Sequence, residues 1–242
     1  MSKDKRKHLL VILPHPDDES FPMGGTLAKY AADHTLVSLV CATRGEAGVE
    51  GLPLQEAAAL REGELRCAAD ALGLDEVRFL DYLDGTLAQV GAGELVERLV
   101  AILREMQPDA VITFGPDGIS GHPDHTTLSA RVTQAFDRAA QPGARLFYLT
   151  PSKATLQGCG VIPTQEAAGG PVASLDIGAY RLPKVRAMQC HASQNPPFKG
   201  KPELEIENLA CHETFTLARP LGHYATLTDL FAPLREQKED HP

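Results

Sequence analysis

Five short apolar runs, HLLVIL (8–13), TLVSLVCA (35–42), EVRFL (76–80), DAVITF (109–114) and ARLFYL (144–149), recur along the first 150 residues with segments of helical period between them. The runs are apolar at most positions instead of every second one, as strands are when helices cover both faces of a parallel sheet. The intervening helix candidates lie near 24–33, 54–72, 92–106 and 123–140, which gives a β-α-β-α order. An α/β fold follows, with a mostly parallel sheet between helical layers. After residue 150 the rhythm breaks. PSKATLQGCGVIPTQEAAGGPVA (151–173) reads as a long loop or insertion, followed by a helix near 180–191, a strand candidate ETFTLA (213–218) and a polar, frayed tail REQKEDHP.

Composition narrows the class of partner. With 242 residues, 43% of them hydrophobic, the chain can bury a large core, and a formal net charge of -9 disfavours broad contact with nucleic acid or anionic membrane. A small-molecule partner fits better. No apolar run approaches the ~18 residues of a membrane helix, and no small-residue cleavage site follows the first apolar run, so the chain reads as cytoplasmic with no membrane insertion. Cys41, Cys67, Cys159, Cys190 and Cys211 are odd in number, scattered and never spaced C-x-x-C. That pattern argues against a disulfide framework and a thiolate zinc site, and predicts buried small hydrophobes.

In an open parallel sheet, ligands bind beyond the carboxyl ends of the strands. The first strand runs there into PHPDDE (14–19). Pro14 and Pro16 remove backbone donors and turn the chain sharply out of the sheet. The adjacent carboxylates Asp17, Asp18 and Glu19 repel one another unless a cation offsets them, and a neutral histidine beside them is a common metal ligand. The fourth strand is followed in the same way by GHPDH (121–125). Pro123 suits the first turn of a helix, and His125, Leu128, Val132 and Phe136 fall on one stripe, so His125 faces inward. Together the clusters offer His15, His125 and a carboxylate, a recurring arrangement for catalytic zinc. If residues 15–18 form one turn, His15 and Asp18 face the same way and Asp17 is left free to act as a base; an extended run would place the acids differently.

PHPDDE after the first strand, TRGEAG (43–48) after the second, DG (84–85) after the third and GHPDH after the fourth resemble the zinc-dependent de-N-acetylases of the PIG-L and LmbE-like family. The resemblance covers roughly residues 8–150. It implies a Rossmann-like domain spanning 1–242, with a core (8–150) that carries the metal motifs and an elaborated, loop-rich C-terminal part (151–242) that completes the pocket. It further implies one Zn2+ held by His15, Asp18 and His125, with Asp17 as general base and His122 as the second catalytic histidine. The same residue set accepts Fe2+ or Co2+. Arg61 and Asp84 are expected to line the sugar pocket. Arg61 falls on the inward stripe of its helix, where the alternative is an ion pair bracing the rim, for instance with Glu46. Arg44 and Glu46 match the family loop after the second strand, either touching substrate or ordering that loop. His191, in CHASQ, echoes a family pattern, but the dipole of a helix end explains a histidine there and it is left outside the site.

The implied activity removes an acetyl group from an N-acetylglucosamine-type sugar or conjugate, with Asp17 or His122 supplying the proton to the leaving amine. Two alternatives stand beside it: an amidase acting on a thiol-sugar conjugate with a larger acyl group, and a non-catalytic, metal-dependent sugar-binding module. Homo-oligomers, common among such relatives, extend to this chain as an expectation that no residue pattern supports. PMGGTLA (22–28) lacks the spacing of a phosphate loop, and no G-x-S-x-G elbow is present, which disfavours nucleotide-binding and serine-hydrolase readings.

Overall fold

The first strand, β1 (His8–Leu13), is buried at all six positions and runs through the interior of the sheet. Its side chains alternate between two cores. Leu9, Val11 and Leu13 pack into one apolar layer and Leu10 and Ile12 into the other, which is why the strand needs apolar residues on both faces. The computed structural model describes residues 6–151, 173–195 and 209–236. The loop expected over 151–173 lies outside the described residues but for its two ends, and so does nearly all of the polar tail.

The elements follow as α1 (Gly24–Ala32), β2 (Leu36–Thr43), α2 (Leu54–Leu72), β3 (Glu76–Tyr82), α3 (Ala92–Met106), β4 (Ala110–Phe114), the single turn α4 (Gly118–Gly121), α5 (Pro123–Ala139) and β5 (Arg145–Leu149). Then come β6 (Ala173–Asp176), α6 (Arg181–Cys190) and β7 (His212–Arg219). The strands form one sheet in the order β3-β2-β1-β4-β5-β7-β6. The first five are parallel, and β7 and β6 add antiparallel pairs at one edge. The fold is the expected Rossmann-like α/β sandwich. One core layer contains Leu27 of α1, Leu65 of α2 and Ala187 of α6, and the other contains Leu99 of α3 and Val132 of α5. The strand β6 has only four residues and carries no periodic signal, so sequence pattern alone does not reveal it. Among the described residues no helix is long and apolar enough to cross a membrane.

Two long-range ties fix the C-terminal elements. Glu213 of β7 accepts from the amides of Gly25 (3.1 Å) and Thr26 (2.6 Å) at the start of α1, and from Lys184 Nζ of α6 at 2.6 Å. Both charged side chains are nearly fully buried, at 3% and 1% exposure. The acid sits at the positive end of a helix dipole and offsets the buried ammonium. The second tie corrects the sequence reading: Cys67 of α2 and Cys190 of α6 form a disulfide across 123 residues of chain. No spacing rule reveals such a pair, because α2 and α6 meet only in the folded sheet layer. Of the other described cysteines, Cys41 is buried and Cys211 exposed.

Closing a loop of that length stabilises a fold by about 2–4 kcal/mol. We expect C67S/C190S to lower the unfolding free energy by roughly that amount in urea titration, and thiol titration of the denatured wild type to find two more thiols after reduction than before. Removing one partner of a buried ion pair costs about 3–5 kcal/mol, and an apolar replacement of both at least leaves no unpaired charge behind. E213A is therefore expected to destabilise more than K184M/E213L, measured by the same urea midpoint.

Candidate metal and catalytic site

The parallel neighbours β1 and β4 mark the place where the strand order reverses, and both motifs leave the sheet there. After β1 the chain turns at Pro14, whose carbonyl accepts from the amide of Thr43 (3.0 Å) and from its hydroxyl (2.9 Å) at the end of β2. A tight turn follows, in which Asp18 Oδ2 accepts from the His15 amide at 3.0 Å. His15 and Asp18 therefore share one side, as a single-turn geometry requires.

His15 Nδ1 and His125 Nε2 lie 3.2 Å apart. The two oxygens of Asp18 stand beside them, Oδ2 at 3.5 Å from His15 Nδ1 and Oδ1 at 3.6 Å from His125 Nε2. A tetrahedral zinc ion with bonds of about 2.0–2.2 Å sets its ligand atoms roughly 3.3–3.6 Å apart, so these three side chains fit one. Both rings are oriented from behind. His125 Nδ1 lies 3.2 Å from the carbonyl of Gly118, and His15 Nε2 lies 3.0 Å from Asp84 Oδ1 and 3.3 Å from Asp124 Oδ2. Each outer nitrogen thus has an acceptor, and the inner nitrogens face each other with lone pairs available to a cation. His122 joins the same cluster, with one ring nitrogen within 4.8 Å of those of His15 and His125.

Local backbone explains how β4 delivers His125. Gly118 has φ +62°, and a Cβ there would meet His125 Cβ at 2.8 Å, so only glycine lets the turn approach the ring. Ile119 follows at φ 63°, a left-handed conformation that costs a β-branched residue about 1–3 kcal/mol and persists where surrounding contacts impose it. Electrostatics agree with the geometry. Burial disfavours the imidazolium of His15, yet Asp124, Asp18 and Asp84 outweigh it and push the ring up to about 11. The cluster demands positive charge among its carboxylates, which a proton or a metal ion supplies. Burial holds His125 below its ordinary value, in the neutral form a ligand needs.

Asp17 lies beside this cluster but outside its contacts. Burial and repulsion from Asp18 raise its carboxyl to about 7, against the pull of Arg61. Arg61, expected at the sugar pocket or in an ion pair bracing the rim, donates from Nη2 to Asp17 Oδ2 at 3.0 Å and to the Pro16 carbonyl, and from Nη1 to the Gly45 carbonyl at 2.7 Å. Gly45, at φ +65°, leaves room for that guanidinium, since a Cβ would stand 2.2 Å from Nη1. Asp84 faces His15 with Oδ1 and accepts from the Ala47 amide with Oδ2 at 3.0 Å. Arg44 pairs with Glu62 at 2.7 Å and with Asp81, and Glu46 accepts from the Asp84 amide at 3.1 Å, so both order the rim.

His122 is the N-cap of α5, its Nδ1 accepting from the Asp124 amide at 3.2 Å. That bond uses the Nδ1 lone pair and leaves Nε2 as the ring's donor. Three residues outside the expected site set also enter its surroundings, among them His191, which the sequence reading explains by the helix dipole alone. Asp124, fully buried, accepts from the amides of Gly85 (2.8 Å) and Leu87 (3.0 Å) while facing His15. Glu19 and His191 form a buried pair at 2.7 Å. Asp124 stands inside the quoted motif and could have been singled out as the ligand's carboxylate partner, but the 172-residue separation of Glu19 and His191 hides their contact.

Comparison with known proteins gives the geometry a context. Residues 10–136 match the family model described as PIG-L, GlcNAc-PI de-N-acetylase. The chain is 32% identical over 194 residues to the "Probable N-acetyl-alpha-D-glucosaminyl L-malate deacetylase 2" of Bacillus anthracis, covering 78% of this chain and 81% of that one. It is 32% identical over 271 residues to the 1D-myo-inositol 2-acetamido-2-deoxy-alpha-D-glucopyranoside deacetylase of Saccharomonospora viridis, covering 93% and 100%. Among solved structures, the N,N'-diacetylchitobiose deacetylase from Pyrococcus horikoshii superposes with a TM-score of 0.66 at 25% identity, over 87% of this chain and 83% of that one. With both His-Asp motifs at neighbouring strand ends and more than half the chain matching one family model, this chain belongs to the PIG-L de-N-acetylase family.

Proposed function

We propose that the chain is a metal-dependent hydrolase that removes the acetyl group from an N-acetylglucosamine-type sugar or conjugate. The observation that carries the reading is the meeting of His15 Nδ1, His125 Nε2 and the Asp18 carboxylate within 3.2–3.6 Å, with Asp17 next in the same turn and held through Oδ2 by Arg61. The printed names of the three relatives given above, deacetylases of N-acetylated glucosamine derivatives, support the same substrate class.

His15, Asp18 and His125 would hold one divalent ion, zinc in this reading, with Fe2+ or Co2+ suited to the same donors. When bound, such an ion activates water and polarises an amide carbonyl. Asp17 takes the proton from the attacking water. Its raised carboxyl, near 7, suits a base that must later give the proton up. His122 donates from Nε2 to the oxygen that becomes negative. With the Nδ1 lone pair engaged by the Asp124 amide and Nε2 donating to that oxygen, Asp17, having taken the water proton, returns it to the leaving amine in this reading. Arg61 and Asp84 were expected at the sugar; in this reading Arg61 holds Asp17 and Asp84 orients His15, each next to where a substrate would lie.

We expect elemental analysis after dialysis to find about one zinc per chain, and amine release from N-acetylglucosamine or its conjugates. Chelation should abolish turnover and lower the melting temperature, both restored by Zn2+ in the wild type but not in H125A. D17N is expected to keep its metal and lose about 10²–10⁴-fold in kcat, and H122A about 10²–10³-fold. Metal without amine release from any acetylated conjugate would favour a larger acyl substrate or a binding role; no metal uptake at all would sink the reading.

A further inference from the structure

Asp17 holds a left-handed backbone, φ 97°, that a non-glycine residue adopts only where neighbouring contacts impose it. Arg61 grips it from α2, as described. The second grip comes from Glu19, whose Oε2 accepts from the Asp17 amide at 3.0 Å. Glu19 is itself fully buried, and its Oε1 accepts from Ser20 Oγ and from His191 Nε2, the latter at 2.7 Å. His191 is also fully buried, and its Nδ1 has no partner among the described residues.

His191 cannot drift from this position. It caps the C-terminus of α6. The preceding residue, Cys190, is bonded to Cys67 of α2, and Ser193 donates from its amide and its hydroxyl to Glu64 of α2, both at 2.7 Å. Helix α2 therefore supports both grips on Asp17, one through Arg61 and one through His191. A buried polar pair is a costly way to fill a core, where apolar residues of similar volume serve stability as well or better. A polar pair at this place is explained by the amide it holds.

We propose that His191 is a positioning residue for Asp17, acting through Glu19, so that the part of the chain beyond residue 150 sets the geometry of the base. The inference rests on the deacetylase reading for Asp17's role but not for the contact itself, and its test reads both. In metal-stripped, 15N-labelled protein, the Asp17 amide should be protected from hydrogen exchange. H191F should reduce that protection about tenfold or more while sparing amides of α5, and H191Q, which keeps a donor near Nε2, should restore most of it. In the zinc-loaded enzyme, H191F should lower kcat about 10–100-fold with KM and zinc content little changed, and H191Q should recover much of the loss. Should H191F fail to fold, E19Q, isosteric and weaker as an acceptor, is expected to show the same pattern. Unchanged Asp17 protection in these variants would overturn the inference, and so would a loss of kcat that tracks loss of zinc or that glutamine fails to rescue. If the wild type releases no amine from any conjugate while the exchange pattern appears as expected, the deacetylase reading fails and the contact stands.

Discussion

Parallel pairing of β1 with β4 is the constraint on which the site depends. Two strands from distant parts of the chain end side by side, so their exits deliver His15 and His125, 110 residues apart, to within hydrogen-bonding distance. The central strands gain this placement from being apolar on both faces. A β1 with polar residues on one side would belong at a solvent-facing edge, and the motif after it would open onto water instead of onto the partner motif.

Placing these residues together concentrates negative charge. Asp18, Asp84 and Asp124 face His15, Asp17 and Glu19 follow in the same turn, and most of the five are shielded from water. The protein distributes the burden. Asp124 is met by two amides, Glu19 by an amide, a hydroxyl and a histidine, and Asp17 by Arg61. What is left over, around His15 and Asp18, is the part that calls for a cation. Carboxylates that look alike in the string PDDE thus acquire separate tasks from their partners.

The C-terminal elements act on this site from behind. The antiparallel β7 and β6 extend the sheet at the edge remote from β3, and Glu213 of β7 binds α1 and α6 together. Helix α6 in turn lies against α2, joined by a disulfide and by the Glu64 to Ser193 hydrogen bonds. Rigid supports of this kind matter most where a strained backbone has to be kept in place, and Asp17 is such a position.

The order of elements through β5, the inward stripe of α2 and the two exits carrying HPDD and HPDH were legible in the amino-acid sequence. Each depends on short-range rules: apolar runs, helical period, proline at a strand end or a first helical turn. The same rules marked Arg61 as an inward cation but left its partner open, because partner choice depends on where Gly45 and Asp17 lie after folding. The disulfide, the short strand β6, the pairing of Glu19 with His191 and the backing of His15 by Asp84 and Asp124 were decided by tertiary structure alone. All but β6 join residues from separate elements, and separation along the chain carries no record of which surfaces will meet once a parallel sheet stacks its helices in layers.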